Sequence, residues 1–177
     1  MNEWALMLST NPVDKVQVPP SSPASNRRLE EREFGQLEKP AKQTKNPHIW
    51  PVVVLTIETG MGRDEILGLW CENSDLEKRI AFLPLTKNGI SSEVPLSTKT
   101  AQVLARQRQR NDTPLPSPVT ANGFRLGCDR STSRASLLDL CFHDLRHEAI
   151  SRFFELGLNI AKVAIISGHK DPRVLFR

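Results

Sequence analysis

Two histidines and an arginine near the end of this 177-residue sequence stand at spacings that suit the gripping of a phosphate. They lie in Phe142-His143-Asp144-Leu145-Arg146-His147 and in Ile166-Ser167-Gly168-His169-Lys170. If residues 144–156 are helical, His143 and Arg146 fall three residues apart on one face. An imidazole and a planar guanidinium fork then converge on a single oxyanion. Three of the four histidines fall between His143 and His169, and the sequence contains no tyrosine.

These side chains need elements to hold them. Gly157 is placed to stop the first helix, Asn159 to cap a second over Ile160–Ser167, and Gly168 to stop that one, leaving His169 free to swing back over the site. Upstream, residues 29–37 have helical spacing with acidic residues early, where the helix dipole favours them. Pro51-Val52-Val53-Val54-Leu55-Thr56-Ile57 reads as a strand by β-branched propensity. Residues 79–84 and 90–96 flank Asn88-Gly89, a type I′ hairpin signal that puts Lys87 at the tip. Ser97 suits an N-cap for a helix running toward Arg108. Residues 111–122 are rich in proline, threonine and serine and read as a mobile loop.

The ordered motifs resemble the tyrosine recombinases of the phage-integrase family, with wording closest to shufflon-type and phage integrases. His143 to His147 and Gly168-His169-Lys170 resemble its second and third active-site boxes. Thr59-Gly60-Met61, Glu65-Ile66-Leu67 and Leu69-Trp70 resemble the first box. Leu85-Thr86-Lys87-Asn88-Gly89 through Val94-Pro95-Leu96 resembles its β-hairpin. The resemblance implies a mainly α fold with a small antiparallel β-sheet, incomplete at the C-terminus, and makes residues 51–57 a buried helix. It implies that residues 1–25 are a remnant of a core-binding domain and linker, and that 26–177 are a catalytic domain truncated before its nucleophile.

By the same resemblance, Lys87 is the general acid, Arg146 a phosphate clamp, and His143 and His169 position or protonate phosphate oxygens. Glu65 supports the first-box arginine, and His147 is an ambiguous supporting group. The activity implied is site-specific DNA recombination and integration through a phosphotyrosine. Double-stranded DNA is the partner, with full-length recombinase protomers beside it, and one of them could donate a tyrosine in trans. Neither metal nor cofactor is implied, because bond energy is held in the covalent intermediate.

Two departures matter. Gly62 stands where the family places its first-box arginine, and the fixed spacing to Glu65 puts Arg63 about 100° around a helix from that position. The tyrosine is expected on the segment beginning at Asp171, where the sequence ends; Ser167 and the three cysteines offer no substitute beyond His169. Cleavage by this chain alone is therefore not expected.

Other readings stay open. With a formal net charge of +4 and seven basic residues against two aspartates between Lys99 and Arg134, the chain could be a non-catalytic DNA-binding remnant or regulator. The candidate DNA contacts are Arg63, Lys99, Arg106, Arg108, Arg110, Arg125, Arg130, Arg134 and Lys170. His143-Asp144-x-x-His147 with His169 also resembles the ligand set of a zinc hydrolase, although Arg146 would set a fixed cation beside the metal. No apolar run reaches the ~20 residues of a membrane span, and an odd cysteine count without metal-ligand spacing suits reduced thiols in a cytoplasm.

Overall fold

A computed structural model describes residues 27–69, 71–84, 91–110, 120–169, 171 and 175. Its centre is helix α2 (Ile49–Thr59), the segment whose β-branched residues favour a strand locally. The helix forms because it is apolar all round and enclosed: Ile49, Val52, Val53, Val54, Leu55 and Ile57 are each at most 2% exposed. Tertiary burial outweighs a propensity difference of a few tenths of a kcal/mol per residue. Thr56 and Thr59 donate their hydroxyls back to the carbonyls of Val52 and Leu55 at 2.9 and 2.6 Å, so neither hydroxyl is stranded in the helix's buried surroundings.

Helix α1 (Glu31–Lys42) begins where the Glu30 backbone N–H donates to the Glu33 carboxylate at 3.0 Å, and it packs on α2. The short helix α3 (Arg63–Leu67) follows α2 through the left-handed Gly60. Three antiparallel strands come next, β1 (Ser74–Asp75), β2 (Ile80–Leu83) and β3 (Ser92–Pro95), in the order β1-β2-β3 with Ala81 opposite Val94. Inward-pointing Ala81, Leu83 and Val94 join the core cluster built on α2. The Asn88-Gly89 turn and Lys87 lie outside the described residues.

Helix α4 (Thr98–Arg110) starts as its cap predicts, with Ser97 Oγ accepting the Thr100 N–H at 3.2 Å. Helix α5 (Ala121–Arg134) corrects the loop reading, which ran on to residue 122. Thr120 caps it by accepting the Gly123 N–H at 3.0 Å, and Phe124 and Cys128, four residues apart, carry it into the core. A Cβ on Gly127 would lie 2.5 Å from Ile49 Cδ1, so glycine is what lets α5 approach α2.

Helices α6 (Phe142–Glu155) and α7 (Ile160–Ser167) complete the described fold, which is mainly helical with a small antiparallel sheet. α6 starts two residues before the expected 144, because the Asp144 carboxylate accepts the Cys141 N–H at 2.8 Å and so serves the helix end from inside its first turn. Asn159 caps α7 by accepting the Lys162 N–H at 3.0 Å, as its spacing predicts.

One buried carboxylate ties the start of the domain to α6. Glu148, its side chain 3% exposed, takes Arg28 Nε at 2.7 Å, Arg152 Nε at 2.8 Å and the Leu29 backbone N–H at 3.2 Å. Burial pushes its pKa up, but these bonds outweigh that, and the net shift is downward. A lowered carboxyl pKa means stability present above the unfolded value and lost as pH falls through the folded one. Glu148→Ala, which removes a partner from Arg152 and the Leu29 N–H while Arg28 keeps Glu155, is expected to cost about 1–2 kcal/mol in urea unfolding and to flatten the acid limb of the stability profile. A loss indistinguishable from that of an exposed surface substitution would contradict this assignment.

Candidate active site

The start of α3, the first turns of α6 and the end of α7 meet around one guanidinium. Arg146 points inward, its side chain 15% exposed, with Nη1 3.7 Å from Glu65 Oε2. Its Nη2 donates to the carbonyl of Ser167. Glu65 is itself fixed, accepting the Gly62 N–H at 2.7 Å. Burial lowers the Arg146 pKa while the Glu65 charge raises it, and the guanidinium remains a cation at neutral pH.

Gly62 takes its meaning from this contact. A Cβ there would lie 2.8 Å from Arg146 Nη1 and 3.3 Å from Glu65 Oε2. Any side chain at this position has to displace the guanidinium. Glu65, assigned by resemblance to support a first-box arginine, faces Arg146 instead. Arg63 turns to Asp64, with Nε 2.9 Å from Oδ1.

His169 is held by the end of α7. Gly168 adopts the left-handed conformation at φ +69°, its N–H reaches the Ile165 carbonyl, and the His169 N–H donates to the Ala164 carbonyl at 3.0 Å. These paired bonds close a Schellman turn and aim the ring. Its Nδ1 lies 2.7 Å from Ser167 Oγ. Burial, then the charges of Arg146, His147 and His143, bring the His169 pKa down to about 4. His143 stands in the first turn of α6 against His147, ring centroids 4.5 Å apart and nearly perpendicular. Burial first, then His147 and Arg146, also lower its pKa.

At neutral pH the cluster is thus one permanent cation flanked by two neutral imidazoles, at the positive end of a 14-residue helix. Such a site receives an anion, and an anion's charge would raise both imidazole pKa values. The structure brings together Glu65, His143, Arg146, His147 and His169. It adds Ser167, which sequence reasoning weighed only as a substitute nucleophile; a hydroxyl on the last turn of a helix beside Gly-His was the available signal. Among the described residues, no group of three or more His, Cys, Asp or Glu is arranged to hold a metal.

The remaining basic residues sit elsewhere. Lys99 pairs with Glu58 at 3.2 Å and lies over the Phe34 ring. Arg106 and Arg108 are exposed on α4, and Arg110 ends that helix. Arg125 pairs with Asp129 at 3.3 Å, while Arg130 and Arg134 are exposed on α5. The side chains of Lys87, Arg110 and Lys170 lie outside the described residues. No helix among the described residues is long and apolar enough to cross a membrane.

Residues 27–176 match the phage integrase family, and the chain belongs to it. It is 42% identical over 179 residues to a shufflon-specific DNA recombinase of Escherichia coli, covering 99% of this chain and 45% of that protein. The chain thus spans about half the length of this relative. Its fold is similar to that of XerA recombinase, with a TM-score of 0.74 at 18% identity over 90% of this chain and 61% of that one. It is also similar to the Tn1549 transposon integrase, solved with transposon right end DNA, with a TM-score of 0.71 at 16% identity, over 89% of this chain and 61% of that one.

The depressed His169 pKa has a thermodynamic consequence. The unfolded chain binds a proton near the ordinary value of 6.5 that the folded chain refuses until about 4. Stability is therefore complete above 6.5 and falls as the pH is lowered toward 4. Urea unfolding across this window is expected to show that slope, and His169→Asn to reduce it. Equal slopes in the two proteins would contradict the assignment.

Proposed function

We propose that this chain grips the phosphodiester backbone of double-stranded DNA at the Arg146 cluster, as the catalytic region of a tyrosine site-specific recombinase. The observation that carries the reading is the meeting of Arg146, His143 and His169 at the N-terminal end of α6. Arg146 spends one donor on the Ser167 carbonyl and stands 3.7 Å from Glu65, and a guanidinium has five donors, so others remain for phosphate oxygens. The 42% identity to the shufflon-specific recombinase, and the transposon DNA carried by the Tn1549 integrase, support DNA as the ligand.

In the reaction of this reading, a phenol gives up its proton to solvent as its oxygen bonds to phosphorus, the DNA oxygen leaves, and Lys87 supplies the proton that makes it a hydroxyl. Arg146 and the imidazoles stabilise the charge that builds on the phosphoryl oxygens. The 177 residues contain no tyrosine, so the phenol comes from residues outside them, in the same protein or in another protomer on the DNA. With glycine at position 62, one expected cation is missing, and Arg146 Nη1 stands 2.8 Å from where a Cβ of that residue would lie. These residues by themselves therefore act as a DNA binder that does not cut, with the exposed α4 and α5 arginines as further backbone contacts.

Fluorescence anisotropy with duplex DNA at several salt concentrations tests this. Arg146→Ala is expected to weaken binding about 10- to 100-fold, the worth of ~1.5–3 kcal/mol for bonds to a charged group, and Arg146→Lys to recover only part because it cannot fork. Unchanged affinity in Arg146→Ala would sink the proposal. A suicide substrate offered to the 177-residue chain is expected to trap no covalent adduct, and an adduct would show a nucleophile other than tyrosine.

A further inference from the structure

Ser167 makes two bonds that together define the protonation of its neighbour. Its hydroxyl donates to the Val163 carbonyl at 2.6 Å, and the same oxygen lies 2.7 Å from His169 Nδ1. A carbonyl oxygen only accepts, so the single hydroxyl proton points to Val163 and an Oγ lone pair faces the imidazole. Nδ1 then supplies the proton of the second bond. In a neutral ring this leaves Nε2 bare.

The arrangement is held from several sides. Ser167 is 1% exposed, so water does not compete for its hydroxyl. Its carbonyl takes the Arg146 guanidinium, and the Schellman turn at Gly168 fixes the next two residues. Around the ring stand Arg146, His147 and His143 from α6, all of which resist its protonation. From α3, Glu65 Oε1 comes within 3.5 Å of the position a Gly168 Cβ would take.

We infer that Ser167 is a positioning residue that holds His169 in the Nδ1–H tautomer, so that Nε2 meets DNA as a proton acceptor and bonds a phosphate oxygen only after taking up a proton. The second half of this rests on reading the Arg146 cluster as a DNA phosphate site. The proton comes from solvent, the phosphodiester keeps its single negative charge, and the imidazolium so formed donates through both nitrogens. Docking a phosphate is thereby coupled to pH.

Two measurements on the full 177-residue chain test the halves separately. Nitrogen NMR of the histidine side chains near pH 7, without DNA, is expected to show Nδ1 of His169 protonated and Nε2 bare. Ser167→Ala is expected to shift it toward the Nε2–H tautomer and Ser167→Thr to restore it. A bare Nδ1 in the unsubstituted chain would overturn the assignment whatever the variants do, and so would an unchanged pattern in a folded Ser167→Ala.

The second measurement is binding to a short mixed-sequence duplex between about pH 6 and 8, where one proton taken up gives at most about a tenfold loss of affinity per pH unit. The unsubstituted chain is expected to weaken as pH rises and Ser167→Ala, able to donate from a neutral Nε2–H, to show a shallower slope. Equal slopes would overturn the coupling. The expected tautomer with no duplex binding at any pH would overturn the DNA reading and leave the role of Ser167 standing.

Discussion

A guanidinium taken out of water has to be met by fixed partners, and the partners that Arg146 finds organise this end of the molecule. Glu65 comes from α3 and the Ser167 carbonyl from the last turn of α7, so one side chain on α6 sets how three helices meet. The burial that depresses its pKa is the cost of this arrangement. The ion pair with Glu65 is long at 3.7 Å, which leaves the positive charge only partly compensated. An incompletely neutralised cation at a helix N-terminus attracts an anion. Burial, reinforced by the same charge, keeps His169 and His143 neutral until such an anion arrives.

Gly62 follows from this constraint rather than standing apart from it. With no side chain at position 62, the Glu65 carboxylate and the space above the glycine are both available to Arg146. The phosphate grip and its internal counter-charge are therefore one unit, and a side chain at 62 would divide it. Glu148 shows the opposite arrangement, since two guanidinium groups and a backbone N–H satisfy its carboxylate, and Arg28 Nη1 pairs with Glu155 at 3.0 Å, so that two cations meet two anions. One network anchors the fold, and the other is poised to bind.

The sequence revealed these features unevenly, for physical reasons. Capping is local chemistry, so Ser97, Asn159 and Gly168 announced their helix ends, and the spacing of His143, Arg146 and His169 announced the site. α2 was illegible from propensity because its helical state is imposed by enclosure on every side, which the family resemblance supplied and local preference opposed. α5 was hidden by the polar and proline-rich run before it, and its two glycines weaken any helical signal; one of them, Gly127, is there for the Ile49 side chain it approaches. The pairing of Arg146 with Glu65 joins residues far apart in the chain, and nothing at Gly62 signals that the arginine fills its space.

The account turns on Arg146 being the group that meets DNA. Its most direct test is the side-chain NMR signals of Arg146 and His169, followed while duplex DNA is added to the 177-residue chain and compared with those of Arg130 and Arg134 on α5. The account predicts that Arg146 and His169 shift as the duplex binds, His169 toward its protonated form. Binding that moves the α5 arginines and leaves Arg146 and His169 unchanged would contradict it.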